Sequence, residues 1–129
     1  MPEARISNHR IHYHISDGCA VVRPEGACNE SRTEALALFV NSSLAEAQHL
    51  ILDLSHSKYV ETPGFRWIVR KFRDLEASGK TLVVVGLPPA VERTFKLLRL
   101  HEIVPAAKDV SEAKRMIYSS GSYKERVAV

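Results

Sequence analysis

The chain is poor in cysteine, in long apolar runs and in charge of one sign, and each shortage removes a class of protein. Two cysteines are too few for a disulfide framework, so we expect Cys19 and Cys28 to be free thiols. The apolar runs have the length of strands, and the first residues lack a signal-peptide core, which predicts a cytoplasmic protein without membrane insertion. The net charge of +3 comes without the dense basic patches of nucleic-acid-binding proteins, so no nucleic-acid partner is expected.

What the sequence does contain is an alternation of strand-like and helix-like segments, in a chain long enough for one domain. Asp17-Gly18 joins two β-type runs at 10–15 and 19–23 and predicts a hairpin. The order of the later segments predicts an α/β domain with a mixed five-stranded sheet, an opening antiparallel hairpin followed by parallel strands, and about four helices. Further strands are expected at 49–54, 82–85 and 103–104, and helices at about 31–47, 62–79, 91–98 and 110–118.

This pattern divides the chain into three parts. Residues 1–9 are expected to be an N-terminal leader, residues 10–118 the folded domain, and residues 119–129 a polar C-terminal tail. A capping box at 31–34 is expected to start the first helix.

The loop before the second helix holds the most distinctive residues. Thr62 is predicted to cap the helix with its side-chain oxygen, Pro63 to occupy the first helical position, and Gly64 to allow close backbone approach. The free amides of Gly64 and Phe65 at this helix start would also tolerate a phosphate. The residues alone leave both roles of Thr62 open, a helix cap and a phosphate site.

The second helix is predicted to have one apolar stripe and one basic face. Trp67 is expected to project away from the apolar centre and, beside Arg66 and Arg70, to form a partner-docking surface. The alternative is a tryptophan partly covered by the loop after the first helix or by the tail. The stripe comprises Phe65, Ile68, Phe72 and Leu75, and the basic face comprises Arg66, Arg70 and Arg73.

Two other groups of residues have reactive side chains without a matching pattern. The edge-strand histidines, His9, His12 and His14, have no carboxylate or thiolate nearby in the pattern, and we expect solvated imidazoles and no metal. Cys28 and His56 follow neighbouring strands and could meet near Thr62, but a nucleophile pair also needs an orienting group and an oxyanion site. We therefore expect no enzyme activity and no cofactor.

From about residue 10 to 118 the chain resembles the STAS domain, the fold of bacterial anti-sigma factor antagonists. The resemblance is carried by HLILDLS at 49–55, YVETPGF at 59–65 and GKTLVVVGL at 79–87, and it continues through PPAVER at 88–93 and LHEIVP at 100–105. In the family the second segment usually reads D-S-S-G or D-S-A-G, and its first serine is phosphorylated. The resemblance implies phosphorylation at Thr62. It also implies a partner-binding surface of Asn29, Glu61, Thr62, Pro63, Gly64, Arg66, Trp67 and Arg70.

The resemblance implies a regulatory protein that binds a kinase-type anti-sigma factor and releases it when Thr62 is phosphorylated, so that binding frees a sigma factor for transcription. The chain departs from the family at Glu61, Pro63 and Asn29, where members usually have Asp, a small residue and Asp, and also at Arg99, where they often have a small residue. Pro63 is expected to restrict Thr62 to extended conformations and removes one amide. These departures favour an alternative, a non-phosphorylated STAS scaffolding or assembly protein that forms a homodimer or larger assembly.

Overall fold

The structure is a computed structural model that describes residues 2–6, 8–44 and 48–119. Within these residues six strands form one sheet in the order β1-β2-β3-β4-β5-β6. The strands are β1 Glu3–Ile6, β2 His9–Ser16, β3 Cys19–Pro24, β4 His49–Asp53, β5 Leu82–Val85 and β6 Ala106–Ala107. The helices are α1 Glu30–Ser43, α2 Thr62–Ala77, α3 Pro89–Leu97 and α4 Val110–Ser119, with a 3-10 turn at Leu100–Glu102.

The sheet is mixed, as predicted. Strands β1, β2 and β3 pair antiparallel, and strands β3 to β6 pair parallel. Asp17 and Gly18 both have positive φ, 54° and 72°, which is the conformation that a two-residue hairpin of type I′ requires at both central positions. The predicted hairpin and the α/β class are therefore confirmed.

The sheet has six strands, where five were predicted. The additional strand is β1, which lies in the segment assigned to the leader and pairs Ala4 with Ile11 and Ile6 with His9. Ala4 and Ile6 also pack against the main hydrophobic core. Four residues with alternating polar side chains are too short a pattern to indicate a strand, and only the edge of β2 gives them hydrogen-bond partners.

The last strand lies later than predicted. Ile103 and Val104 have strand-like side chains, but their amides donate to the Leu100 carbonyl, at 2.9 and 2.8 Å, and hold them in a turn. Pairing with β5 begins after that turn, where Val84 N donates to Pro105 O at 3.1 Å. The prediction of a strand at 103–104 is wrong because local hydrogen bonds outweigh β-propensity there.

Both faces of the sheet are covered by helices. The main core joins one face of the strands to α1, α2 and α3, and a smaller core joins the other face to Ala113 and Ile117 of α4. Leu82–Val85 is buried at every residue because alternate side chains enter the two cores. Ser119 ends α4, and the rest of the predicted tail lies outside the described residues.

Candidate functional site

Two loops meet at the carboxyl ends of β3 and β4, and they form the rim on which the candidate site lies. Cys28 and Val60 form an isolated parallel bridge. Cys28 N donates to Tyr59 O and Glu61 N donates to Cys28 O, both at 3.0 Å. These bonds tie the loop that leads to Thr62 to the loop that precedes α1, so the start of α2 has a fixed position on the rim.

Helix α2 begins at Thr62, one residue earlier than a capping role for Thr62 would require. Glu61 is the N-cap, with extended φ and ψ of −87° and 168°, and no side chain caps the helix. Pro63 lies within the first two helical positions. The prediction that Thr62 caps the helix is wrong. The prediction that Pro63 restricts Thr62 to extended conformations is also wrong, because Thr62 is helical and Glu61 takes the extended conformation instead.

Two amides in the first turn of α2, those of Gly64 and Phe65, are already occupied. Gly64 N and Phe65 N both donate to the Glu61 carbonyl, at 2.9 and 3.3 Å, and Pro63 has no amide hydrogen. The predicted free amides of Gly64 and Phe65 are therefore not available to a phosphate. An anion beside Thr62 would therefore need partners other than the amides of Gly64 and Phe65.

Gly64 packs α2 closely against the rim, as predicted. A Cβ atom at this position would lie 2.6 Å from Val60 Cγ1, 3.3 Å from Cys28 O and 3.4 Å from Thr33 Oγ1. The first of these distances is well inside ordinary carbon contact. The absence of a side chain at Gly64 thus lets the helix start lie directly on the two bridged loops.

Asn29 has a structural role that the sequence analysis did not assign. Its side-chain Oδ1 accepts a hydrogen bond from Arg32 N at 2.9 Å, and it caps α1, which begins at Glu30. The predicted capping box at 31–34 is wrong, because Asn29 occupies the N-cap position two residues earlier.

Trp67 is buried, with 8% of its surface exposed, and it belongs to the main core. It lines the same interior region as Cys28, Thr33 and Gly64, three residues before it on α2. The predicted outward projection of Trp67 is wrong, because α2 packs against both the sheet and α1 and so buries a wider face than one apolar stripe. Trp67 is therefore a core residue and not an exposed docking anchor.

The basic face of α2 is exposed, as predicted. Arg66, Arg70 and Arg73 lie along one side of a groove of about 590 Å³ between α2 and the end of α3, and Thr62 lies at one end of it. We call this feature the α2–α3 groove. Its apolar lining consists of Phe65, Val69, Leu98 and Leu100.

The predicted partner-binding residues thus differ in accessibility. Glu61, Thr62, Arg66 and Arg70 are exposed, Asn29 and Pro63 are half-buried, and Gly64 and Trp67 are buried. A surface formed by the exposed members can bind a protein but presents no group of reactive side chains.

The nucleophile pair considered for Cys28 and His56 does not form, because each side chain has another partner. Cys28 Sγ lies 3.6 Å from the buried Ser57 Oγ, and burial raises the pKa of the Cys28 thiol. His56 Nδ1 lies 2.7 Å from Glu25 Oε2. Cys28 and Cys19 are both buried free thiols, as predicted.

Glu25 joins two imidazoles, a contact that the sequence analysis missed. Its carboxylate lies 3.0 Å from His12 Nε2 and 2.7 Å from His56 Nδ1, and Glu3 lies 3.6 Å from His12. The expectation of a solvated His12 without a nearby carboxylate is wrong, since Glu3 and Glu25 lie on other strands or loops and leave no local pattern around His12. In the described part of the chain no group of His, Cys, Asp and Glu has an arrangement suited to a metal ion.

The fold and the rim are those of a known domain. A family model for the STAS domain matches residues 10–113, and the chain belongs to the STAS domain family. Its resemblance to anti-sigma factor antagonists is visible in solved structures. A putative anti-sigma factor antagonist from Thermotoga maritima has a TM-score of 0.77 and 22% identity, over 84% of this chain and 94% of that one.

Two other solved structures share the fold. An anti-sigma factor antagonist from Mycobacterium paratuberculosis has a TM-score of 0.76 and 21% identity, over 84% of this chain and 92% of that one. The Bacillus cell fate determinant SpoIIAA in its phosphorylated form has a TM-score of 0.64 and 14% identity, over 82% and 98%. In the ranges that the structure describes, no helix has the length and apolar content needed to cross a membrane.

Proposed function

We propose that this chain is a non-enzymatic STAS regulatory protein that binds a kinase-type anti-sigma factor through the exposed surface around Thr62, and that phosphorylation of Thr62 releases the partner. The observation that carries the proposal is the position of Thr62, which is exposed at the start of α2 and matches the family phosphosite in sequence. Its partner-binding neighbours would be the exposed Glu61, Arg66 and Arg70.

A phosphate on Thr62 would act on the partner more than on the fold. Within the described residues the Thr62 side chain makes no hydrogen bond and is exposed, so its modification breaks no internal hydrogen bond. Phosphorylation would add a charge of about −1.5 to −2 at the rim. A partner with its own acidic side chains would then be repelled, which gives the release step a physical cause.

The direct test is mass spectrometry of the protein purified from its own host, with Thr62→Ala as the control. The proposal expects a phosphate on Thr62 in the wild-type protein. The Thr62→Ala variant should carry no phosphate. Unmodified Thr62 under every growth condition, including those in which the sigma factor is held inactive, would overturn the switch.

A second candidate function is a non-phosphorylated scaffolding or assembly protein. It is favoured by the occupied amides at the start of α2, where Gly64 and Phe65 both donate to Glu61 and Pro63 donates nothing. Neither of these two amides is then free to bind a phosphate. Analytical ultracentrifugation tests this candidate, because an assembly protein self-associates at micromolar concentration. A switched antagonist is instead recognised by partner binding that depends on the phosphorylation state of Thr62.

A further inference from the structure

We infer that the α2–α3 groove is the docking site for an acidic amphipathic helix of the partner protein. The inference rests on the proposed function in one respect, since the helix belongs to the protein that this chain binds. It goes further by stating the chemistry of the partner segment and the place where it lies, which includes the end of α3 as well as the rim.

The charged side of the α2–α3 groove lacks carboxylate partners. Arg66, Arg70 and Arg73 recur at spacings of four and three residues, so they share one face of α2, and among the described residues none lies within ion-pair distance of a carboxylate. Asp74 lines the far end of the groove, which leaves an excess of two positive charges. Carboxylates from a ligand would complement this excess.

Two cations at the α3 end of this surface already have carboxylate partners. Lys96 lies 3.8 Å from Glu92 on α3, and Arg99 makes two contacts of 3.0 Å with Glu102 on the neighbouring turn. The basic face of α2 therefore differs from the end of α3, where Lys96 and Arg99 each lie beside a carboxylate of the chain.

The other side of the groove is apolar and open to solvent. Leu98 is 54% exposed and lines the groove, and Leu97 beside it is 75% exposed. Single exposed leucines are ordinary, but Leu98 lines the groove together with the apolar side chains of Phe65 and Val69. A ligand that covers it removes this apolar area from water.

The backbone fixes the position of these leucines. Arg99, the next residue, has a left-handed φ of 59°, a conformation that is unfavourable for a non-glycine residue. Its paired contacts with Glu102 hold the turn. Leu98 and Leu100 thus flank a turn of defined geometry and both line the groove.

The dimensions of this surface suit a helix. From Arg66 to Arg73 the axis of α2 advances by about 10 Å, roughly two helical turns. A partner helix lying along α2 with acidic residues at spacings of four and three would face the three arginines, while an adjacent leucine stripe would cover Leu98 and Val69. An anionic membrane also combines negative charge with apolar material, and the test below separates it from a helix.

The test uses the full chain, labelled with ¹⁵N, and a synthetic 18-residue amphipathic helix with glutamates on one side of a leucine stripe. We expect amide shift changes confined to the outer face of α2 and to residues 97–100. Arg70→Glu should weaken binding by roughly threefold to tenfold. The matched control is Arg115→Glu on α4, an exposed helical arginine outside the groove, and it should leave the affinity unchanged.

Three results would overturn the inference. One is a lysine version of the peptide that binds equally well, the second is an equal effect of Arg70→Glu and Arg115→Glu, and the third is binding to anionic vesicles without binding to the acidic peptide. Detection of phosphate on Thr62 does not depend on the groove. A protein that is phosphorylated on Thr62 in its host but does not bind the peptide would therefore contradict this inference and leave the proposed switch intact. A protein that binds the peptide but is never phosphorylated on Thr62 would support this inference and contradict the switch.

Discussion

Substitution of Gly64 by alanine tests whether the rim holds the start of α2 as closely as the structure indicates. The new Cβ atom would lie 2.6 Å from Val60 Cγ1, about 1 Å closer than an ordinary carbon contact. Val60 is tied to Cys28 through the bridge between the two loops, so it cannot move away without disturbing the rim.

Two opposing free-energy terms set the size of the effect. Overpacking of this kind costs roughly 1–3 kcal/mol, and replacing a helical glycine by alanine returns up to about 1 kcal/mol. The free energy of unfolding should therefore fall by about 1 kcal/mol, which lowers Tm by roughly 4 °C in a domain of this size.

The assay is urea denaturation of four proteins: the wild type, Gly64→Ala, Val60→Ala and the double variant. Removing the Val60 methyl groups relieves the close contact, so the double variant should be more stable than the sum of the single effects predicts, by about 1 kcal/mol. A Gly64→Ala protein that is more stable than the wild type, or additive effects in the double variant, would refute the close packing of α2 on the rim.

Three further predictions concern the backbone and the buried groups. Arg99→Gly relieves a left-handed φ of 59° at the loss of an exposed ion pair with Glu102, so thermal denaturation should show unchanged or slightly higher stability. Burial raises the pKa of Cys28 above 9.0, so stability should fall as pH rises beyond 9, less steeply in Cys28→Ala. Burial, with a smaller contribution from Lys80, lowers the pKa of His49 below 6.5, so stability should fall as pH drops below 6.5, less steeply in His49→Gln.

The parts of the fold that were predictable depend on local patterns. The hairpin at Asp17-Gly18 is confirmed because two positive φ values demand such residues, and β4 and β5 are confirmed because burial on both faces leaves an unbroken apolar run. The edge strand β1, with four residues, and the strand β6, with two, depend on pairing with other strands. Segments this short contain no sequence pattern that predicts a strand.

The candidate site was predictable in sequence position but not in detail. Thr62 and the basic face of α2 were identified from a motif and from helical spacing. The burial of Trp67 follows from α1 packing across α2, and the contacts of Glu25 with His12 and His56 join three distant segments. The groove beside Leu98 required the tertiary arrangement of α2 and α3, which no spacing within one helix reveals.

The central claim is that the surface around Thr62 binds a partner and that negative charge at Thr62 releases it. The most direct measurement is the affinity of the host's kinase-type anti-sigma factor for the wild-type protein and for Thr62→Glu, by isothermal titration calorimetry. The account predicts several-fold weaker binding for Thr62→Glu, with a Tm within a few degrees of the wild type, because among the described residues the exposed Thr62 side chain makes no hydrogen bond. Equal affinity of the two proteins would contradict it.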